Sequence, residues 1–221
     1  MAYQKSFHFG KTSDGLSIPA YKFGDKGPKV LVLGGVHGDE IEGMIATNGL
    51  LQSFSQSFPF KLDLTLVPIF NLDGALRADR RNARGVDLNR NLPTQDWTPE
   101  VAKERYNPGP SANSEPENQA LVKFIHKEQP TFVISMHSWL PMLNINGDCA
   151  AVSQAIAKRT GYQITDDIGY PTPGSLGTYC GLERQIPTIT YEVERGLKAG
   201  PILKIHVPAL LEGLKVLEQS S

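Results

Sequence analysis

The sequence predicts an α/β fold, with a mixed, mostly parallel central sheet and helices on both faces. Three observations predict it. Short, branched apolar runs recur along the chain, as in Val30–Leu33, Phe132–Ile134 and Ile186–Val193. Segments with apolar residues at helical spacing separate them, and Gly or Pro bounds several of the runs. Runs of this kind read as strands buried on both sides, which requires helices above and below. The 221 residues, 40% of them hydrophobic, suit one large domain over residues 1–221 with a substantial core.

Val30–Leu33, between Pro28 and Gly34-Gly35, is the first buried strand. Ile41, Met44, Ile45, Leu50, Leu51 and Phe54 then mark a helix, and Leu62–Phe70 a second strand. Residues 93–114 are polar and rich in Pro, Gly and Asn; a loop of that length is usually functional. Ser114 and Glu117 read as a capping box, with Pro116 in the first turn, opening a helix whose apolar face is Ala120, Leu121, Phe124 and Ile125. The strand Phe132–Ile134 ends at Met136-His137. A helix over Ala151–Thr160 is closed by Gly161, Ile186–Val193 is a strand, and Val207–Glu218 is a final amphipathic helix.

Composition excludes several function classes. The formal net charge of −1 offers no basic excess for nucleic acid or an anionic membrane surface. No stretch approaches the ~20 apolar residues of a transmembrane helix, and the opening MAYQKSFHFG lacks the apolar run of a secretory leader. A cytoplasmic protein is expected. Cys149 and Cys180 read as buried free thiols, since two cysteines without CxxC spacing make no disulfide framework.

In α/β sheets, ligands bind beyond the carboxyl ends of strands. His37-Gly38-Asp39-Glu40 occupies such a place, and so does His137. His37 and Glu40, three apart, can turn toward one ion, with Gly35 and Gly38 letting the backbone bend closely. A catalytic zinc takes three protein ligands and leaves a fourth position open, and His137 is the candidate third. The alternative is a structural His–Glu pair. His8, His126 and His206 lack such a context and read as surface or packing residues, His126 as solvated.

The segment Arg80–Asn91 (RRNARGVDLNRN) reads as short and extended, with Asp87, Asn89 and Asn91 facing away from Val86 and Leu88. Its arginines suit either a solvated face or a carboxylate clamp, for which the planar guanidinium is well shaped. Glu192 ends an apolar strand, where a lone carboxylate is costly unless paired or functional. It is either a proton acceptor beside a metal or a salt-bridge partner, for instance of Arg195.

Taken in order, His37-x-x-Glu40, Asn71-Leu72-Asp73-Gly74, Gly85–Asn91, His137 and Tyr191-Glu192 resemble the zinc metallocarboxypeptidases from about Val30 to Val193. RRNARGVDLNRN, SEPENQAL and GYPTPGSLGTYCGLE resemble in particular the bacterial murein peptide amidases. These are cytoplasmic members that recycle cell-wall peptides by cleaving the γ-D-glutamyl–meso-diaminopimelate bond. The resemblance implies a carboxypeptidase-like fold and one Zn2+ per chain on His37, Glu40 and His137. It implies Arg80 as the residue polarising the scissile carbonyl, Asn89 and Arg90 as the grip on a terminal carboxylate, and Glu192 as general base and acid. It also implies a murein peptide as substrate, with no nucleic acid or membrane partner.

The chain departs from the family at Asn71-Leu72, where Asn-Pro is usual, and at Asn91-Leu92, where an aromatic follows the asparagine. Tyr170 and Tyr179 are both candidates for a tyrosine that closes over substrate, and Asp148 for a contact to the diaminopimelate ammonium. Three other functions stay open. They are a general zinc carboxypeptidase, a zinc-dependent N-acyl amino acid deacylase, and a binding module that keeps the fold without turnover.

Overall fold

The computed structural model describes residues 4–219; Met1–Tyr3, the start of the segment expected not to be a leader, lie outside it. β1 (Gln4–Lys11) and β2 (Ser17–Phe23) form an antiparallel hairpin. β3 (Lys29–Gly34) leads through a short loop into α1 (Ile41–Gln56). β4 (Asp63–Val67) is followed by α2 (Leu72–Arg77), and a long irregular stretch then reaches α3 (Pro116–Glu128). β5 (Phe132–Trp139), β6 (Met142–Asn146), α4 (Ala150–Thr160), β7 (Gln163–Thr165) and β8 (Thr188–Glu194) come next. α5 (Ala199–Pro201) runs through a π turn into α6 (Val207–Gln219). The strands form one sheet in the order β1-β2-β4-β3-β5-β8-β6-β7. Pairings β3–β4, β3–β5, β5–β8 and β6–β7 are parallel, and the other three are antiparallel, so the sheet is mixed and mostly parallel.

Alternation along the central strands divides the core. Val30 and Val32 face α1, α4 and α6, packing with Leu50, Phe54, Ile156 and Leu210. Leu31 and Leu33 face the opposite side, packing with Phe70, Leu88, Leu121 and Ile125. Each such buried aliphatic side chain contributes about 1.5–3 kcal/mol. Val30–Leu33 of β3 and Phe132–Ile134 of β5 are therefore apolar at consecutive positions, while the carboxyl ends of the central strands, at His37, His137 and Glu192, turn polar together.

Two details differ from the sequence-based expectation. The segment around Asp87 is not extended. The Asp87 carboxylate accepts from Asn89 N (2.9 Å) and draws Leu88–Arg90 into a single 3-10 turn, which buries Asp87, Leu88, Arg90 and Asn91 alike. Ser114 does not cap α3 either. Glu115 stands at its N-cap with no side-chain cap bond, while the Glu117 carboxylate accepts from Ser13 N (2.9 Å) in the β1–β2 turn. Longer-range donors thus outcompete the local capping box.

His206 is buried in the α1-side core, as expected of a packing histidine. Its Nδ1 shares a hydrogen bond with the Tyr191 hydroxyl (2.7 Å). Burial pushes its pKa down to about 4. The folded chain therefore binds fewer protons here than the unfolded one, and stability present above the unfolded value, near 6.5, is lost as pH falls toward 4. Urea unfolding at pH 7 and pH 5 is expected to show that loss, and His206→Gln to flatten it.

Candidate metal centre and active site

The loop after β3 is shaped by two glycines. Gly35 has φ +61°, in the left-handed region, and a Cβ at Gly38 would lie 2.0 Å from the Gly74 carbonyl carbon. Asn71 caps α2 by accepting from Gly74 N (2.9 Å), and its amide donates to Arg80 O (3.2 Å). The His37 loop, the start of α2 and the Arg80 segment are thereby tied together. His137 and Glu192 enter from neighbouring strands, where the parallel register sets them side by side.

The structure brings His37, Glu40 and His137 together. One donor atom from each lies within 4.8 Å of the others, and all three residues are buried. His37 Nδ1 is 2.8 Å from Glu40 Oε1, His137 Nδ1 is 2.9 Å from Glu40 Oε2, and the two Nδ1 atoms are 3.0 Å apart. Each ring's other nitrogen is supported. His37 Nε2 lies 3.0 Å from Asp87 Oδ1, and His137 Nε2 2.9 Å from the Ser135 hydroxyl. Such outer contacts fix ring orientation in metal sites.

Charge is concentrated here. Burial opposes ionisation of Glu40, yet His37 and His137 hold its carboxyl well below the usual range. Burial and Arg80 oppose protonation of His37, yet Glu40 and Asp87 outweigh them and raise its pKa. Asp87 is buried too, but Arg80 and His37 hold its pKa down. Glu192 is different. Burial, reinforced by the Glu40 charge and opposed by His137 and Arg80, pushes it up to about 7. Its Oε2 is buried with no hydrogen-bond partner among the described residues.

These features fit a zinc ion. Two imidazoles and one carboxylate are a donor set that catalytic zinc uses. A cation held by them would offset the negative charge that Glu40 and Asp87 concentrate there. The salt bridge to Arg195, the alternative reading of Glu192, is not made; Arg195 pairs with Asp39 instead (2.7 Å).

A cavity of about 310 Å3 opens over this cluster. Arg80, Asn89 and Arg90 line it. Arg80 Nε donates to Asp87 (2.8 Å) and its Nη1 lies 3.3 Å from Glu40, whereas Arg81 turns away to Asp79 and Glu104. Asn89 Oδ1 accepts from Leu176 N (2.8 Å), and Arg90 Nη1 donates to Asn89 O (2.7 Å). Arg80 and Arg90 both lie over the Tyr106 ring, at 5.3 and 5.4 Å. Tyr106 comes from the long polar loop and was not singled out in the sequence, because nothing local marks it.

Of the two tyrosine candidates, Tyr170 lines the cavity and Tyr179 does not. Tyr179 is fully buried, with its hydroxyl 3.2 Å from Nε2 of the exposed His126. Asp148 is also misplaced by the sequence-based expectation. It is exposed just before α4, outside the cavity, while Asn144 and Asn146 line it. Alternation along β6 explains this: Leu143 and Ile145 pack into the core, so Asn144 and Asn146 face the other way. Asp87 and Ser135 are supporting residues whose partners lie too far along the chain, or on too plain a strand, to be read from sequence.

Comparison with known proteins identifies the family and the fold. Residues 3–194 match the zinc carboxypeptidase family. The chain is 34% identical over 192 residues to murein peptide amidase A of Vibrio campbellii, covering 82% of this chain and 75% of that protein. It is 32% identical over 161 residues to murein peptide amidase A of Escherichia coli K12, covering 68% and 65%. Among solved structures, murein-tripeptide amidase MpaA from Escherichia coli O157 superposes with a TM-score of 0.77 at 25% identity, over 96% of this chain and 91% of that one. Bovine thrombin-activatable fibrinolysis inhibitor shares the fold, with a TM-score of 0.83 at 18% identity over 99% and 91%. The chain belongs to the zinc carboxypeptidase family and is a metallopeptidase.

Proposed function

We propose that this metallopeptidase hydrolyses the γ-D-glutamyl–meso-diaminopimelate amide of murein peptides, using one zinc held by His37, Glu40 and His137. The observation that carries this is the convergence of those three donors with Glu192, whose Oε2 has no partner among the described residues, in a cavity that also presents Asn89 and Arg90. The choice of substrate is supported by the similarity to murein peptide amidases. Action in the cytoplasm belongs to the same proposal; among the described residues no helix is long and apolar enough to cross a membrane.

Bound zinc supplies Lewis acidity, lowering the pKa of water and polarising a carbonyl. The chain's own residues do the rest. Glu192 accepts the proton of the attacking water and returns it to the leaving amine. Arg80, preorganised by Asp87 and Glu40, stabilises negative charge on the carbonyl oxygen. Asn89 and Arg90 hold the terminal carboxylate and so position the scissile amide. The neutral amides of Asn144 and Asn146 offer donors and acceptors to the zwitterionic end of diaminopimelate.

Digestion of L-Ala-γ-D-Glu-meso-diaminopimelate, followed by mass spectrometry, tests this. Free diaminopimelate is expected, lost with a chelator and restored by zinc. No release from the tripeptide, with release of C-terminal residues from ordinary peptides, would establish a general carboxypeptidase instead. Turnover of N-acyl amino acids alone would establish a deacylase.

The support of His37 by Asp87 gives a separate prediction. Asp87→Asn is expected to weaken zinc affinity by about 10–100-fold, as loss of such outer partners does. Competition with a fluorescent chelator measures it, and unchanged affinity would remove Asp87 from this role.

A further inference from the structure

Arg195 is a cation of the cavity that the reaction above leaves unused. It follows β8, and its backbone N–H donates to Trp139 O (3.0 Å), which pins it at the carboxyl edge of the sheet. Nη2 donates both to the Asp39 carboxylate (2.7 Å) and to the Asp39 carbonyl (2.9 Å). Nε and Nη1 have no partner among the described residues, and the side chain is 42% exposed. A guanidinium held at one nitrogen and open at two is oriented for an anion and loses little freedom on binding one.

Its place relative to Arg90 matters. The turn carrying Asn89 and Arg90 packs on the α3 side of the sheet, where Leu88 and Leu92 meet Leu121 and Ile125. Arg195 lies on the α1 side, where Gly196 N donates to Glu42 (2.7 Å) and Leu197 packs against the α1 core. His37, Glu40, His137 and Glu192 line the same cavity as Asn89, Arg90 and Arg195. A substrate gripped by Asn89 and Arg90 through its leaving residue, with its amide at Glu192, extends its acyl half toward Arg195.

We propose that Arg195 is a specificity-determining residue that pairs with a free carboxylate on the acyl side of the scissile amide. The inference rests on the proposed function and names the feature of the substrate that is read. A γ-linked glutamyl residue keeps its α-carboxylate beside the reacting amide. An ordinary α-linked residue has that carboxyl committed to the peptide bond. Arg195 thereby favours γ-glutamyl donors over α-peptides.

The test compares L-Ala-γ-D-Glu-meso-diaminopimelate with the same tripeptide carrying an α-carboxamide on the glutamyl residue. One charge-assisted hydrogen bond predicts that the zinc-loaded wild type prefers the acid by about tenfold or more in kcat/KM. Arg195→Gln is expected to collapse the acid-to-amide ratio toward one, and Arg195→Lys to retain part of it. A variant that folds poorly lowers both rates and leaves their ratio alone, so the ratio separates recognition from structure. Binding of the two tripeptides to zinc-loaded Glu192→Gln, measured by calorimetry, reads the same contrast without turnover. A wild-type ratio near one, or an equal ratio in Arg195→Gln, overturns the inference while the murein function stands. Cleavage of neither tripeptide, with cleavage of α-linked peptides, refutes the murein function and this inference together.

Discussion

Glu192→Gln is expected to lower kcat on the murein tripeptide by about 10²–10⁴-fold, the range general acid–base catalysis supplies, while zinc stays at one per chain. The substitution is nearly isosteric, and Glu192 Oε2 has no hydrogen-bond partner among the described residues whose loss would disturb the fold. Its position comes from strand register, opposite His137 on the adjacent parallel strand, and the register is unchanged by an amide. What disappears is the group that takes and returns the proton. Metal content by mass spectrometry and turnover of the tripeptide measure the two halves of this result. Near wild-type turnover with zinc present would remove Glu192 from the proton-transfer role.

His137→Ala is expected to lose both zinc and activity. It deletes one of three donors, and the drop in affinity is expected to exceed the about 10–100-fold caused by losing a supporting residue. Asp87→Asn therefore gives the internal comparison. His137 also meets Glu40 at 2.9 Å, so its removal leaves a buried carboxylate with one fewer partner. Zinc content and turnover both at wild-type levels in His137→Ala would show that this imidazole is not a ligand.

The parts of the fold legible in sequence are those specified locally. β3 and β5 carry apolar residues at consecutive positions because both their faces are covered, and such runs announce themselves; β8 alternates, with Ile189, Tyr191 and Val193 in the α1-side core. Gly161 marks the end of α4 because its φ of +72° is open to glycine at little cost. The candidate ligands were legible because each histidine lies at or just beyond the carboxyl end of such a strand. The β1–β2 hairpin was not, since exposed residues interrupt its pattern.

Residues whose role depends on distant partners were hidden or misread. Asp87 meets His37 across fifty positions of chain, and its own capping of Asn89 bends a segment that alternation alone reads as extended. Glu117 is drawn away from its local cap by Ser13 and Asn82. Tyr179 and Asp148 sit in motifs near the site, yet the packing of Tyr179 and the place of Asp148 beyond β6 set both outside the cavity. Asn144 and Asn146 gained their place from the strand alternation that excluded Asp148.

Anomalous diffraction at the zinc edge, from crystals of the protein purified without chelator, tests the central claim most directly. One strong peak is predicted per chain, coordinated by Nδ1 of His37, Nδ1 of His137 and the Glu40 carboxylate. A peak bound through other residues, or no peak in protein that hydrolyses the tripeptide, would contradict it.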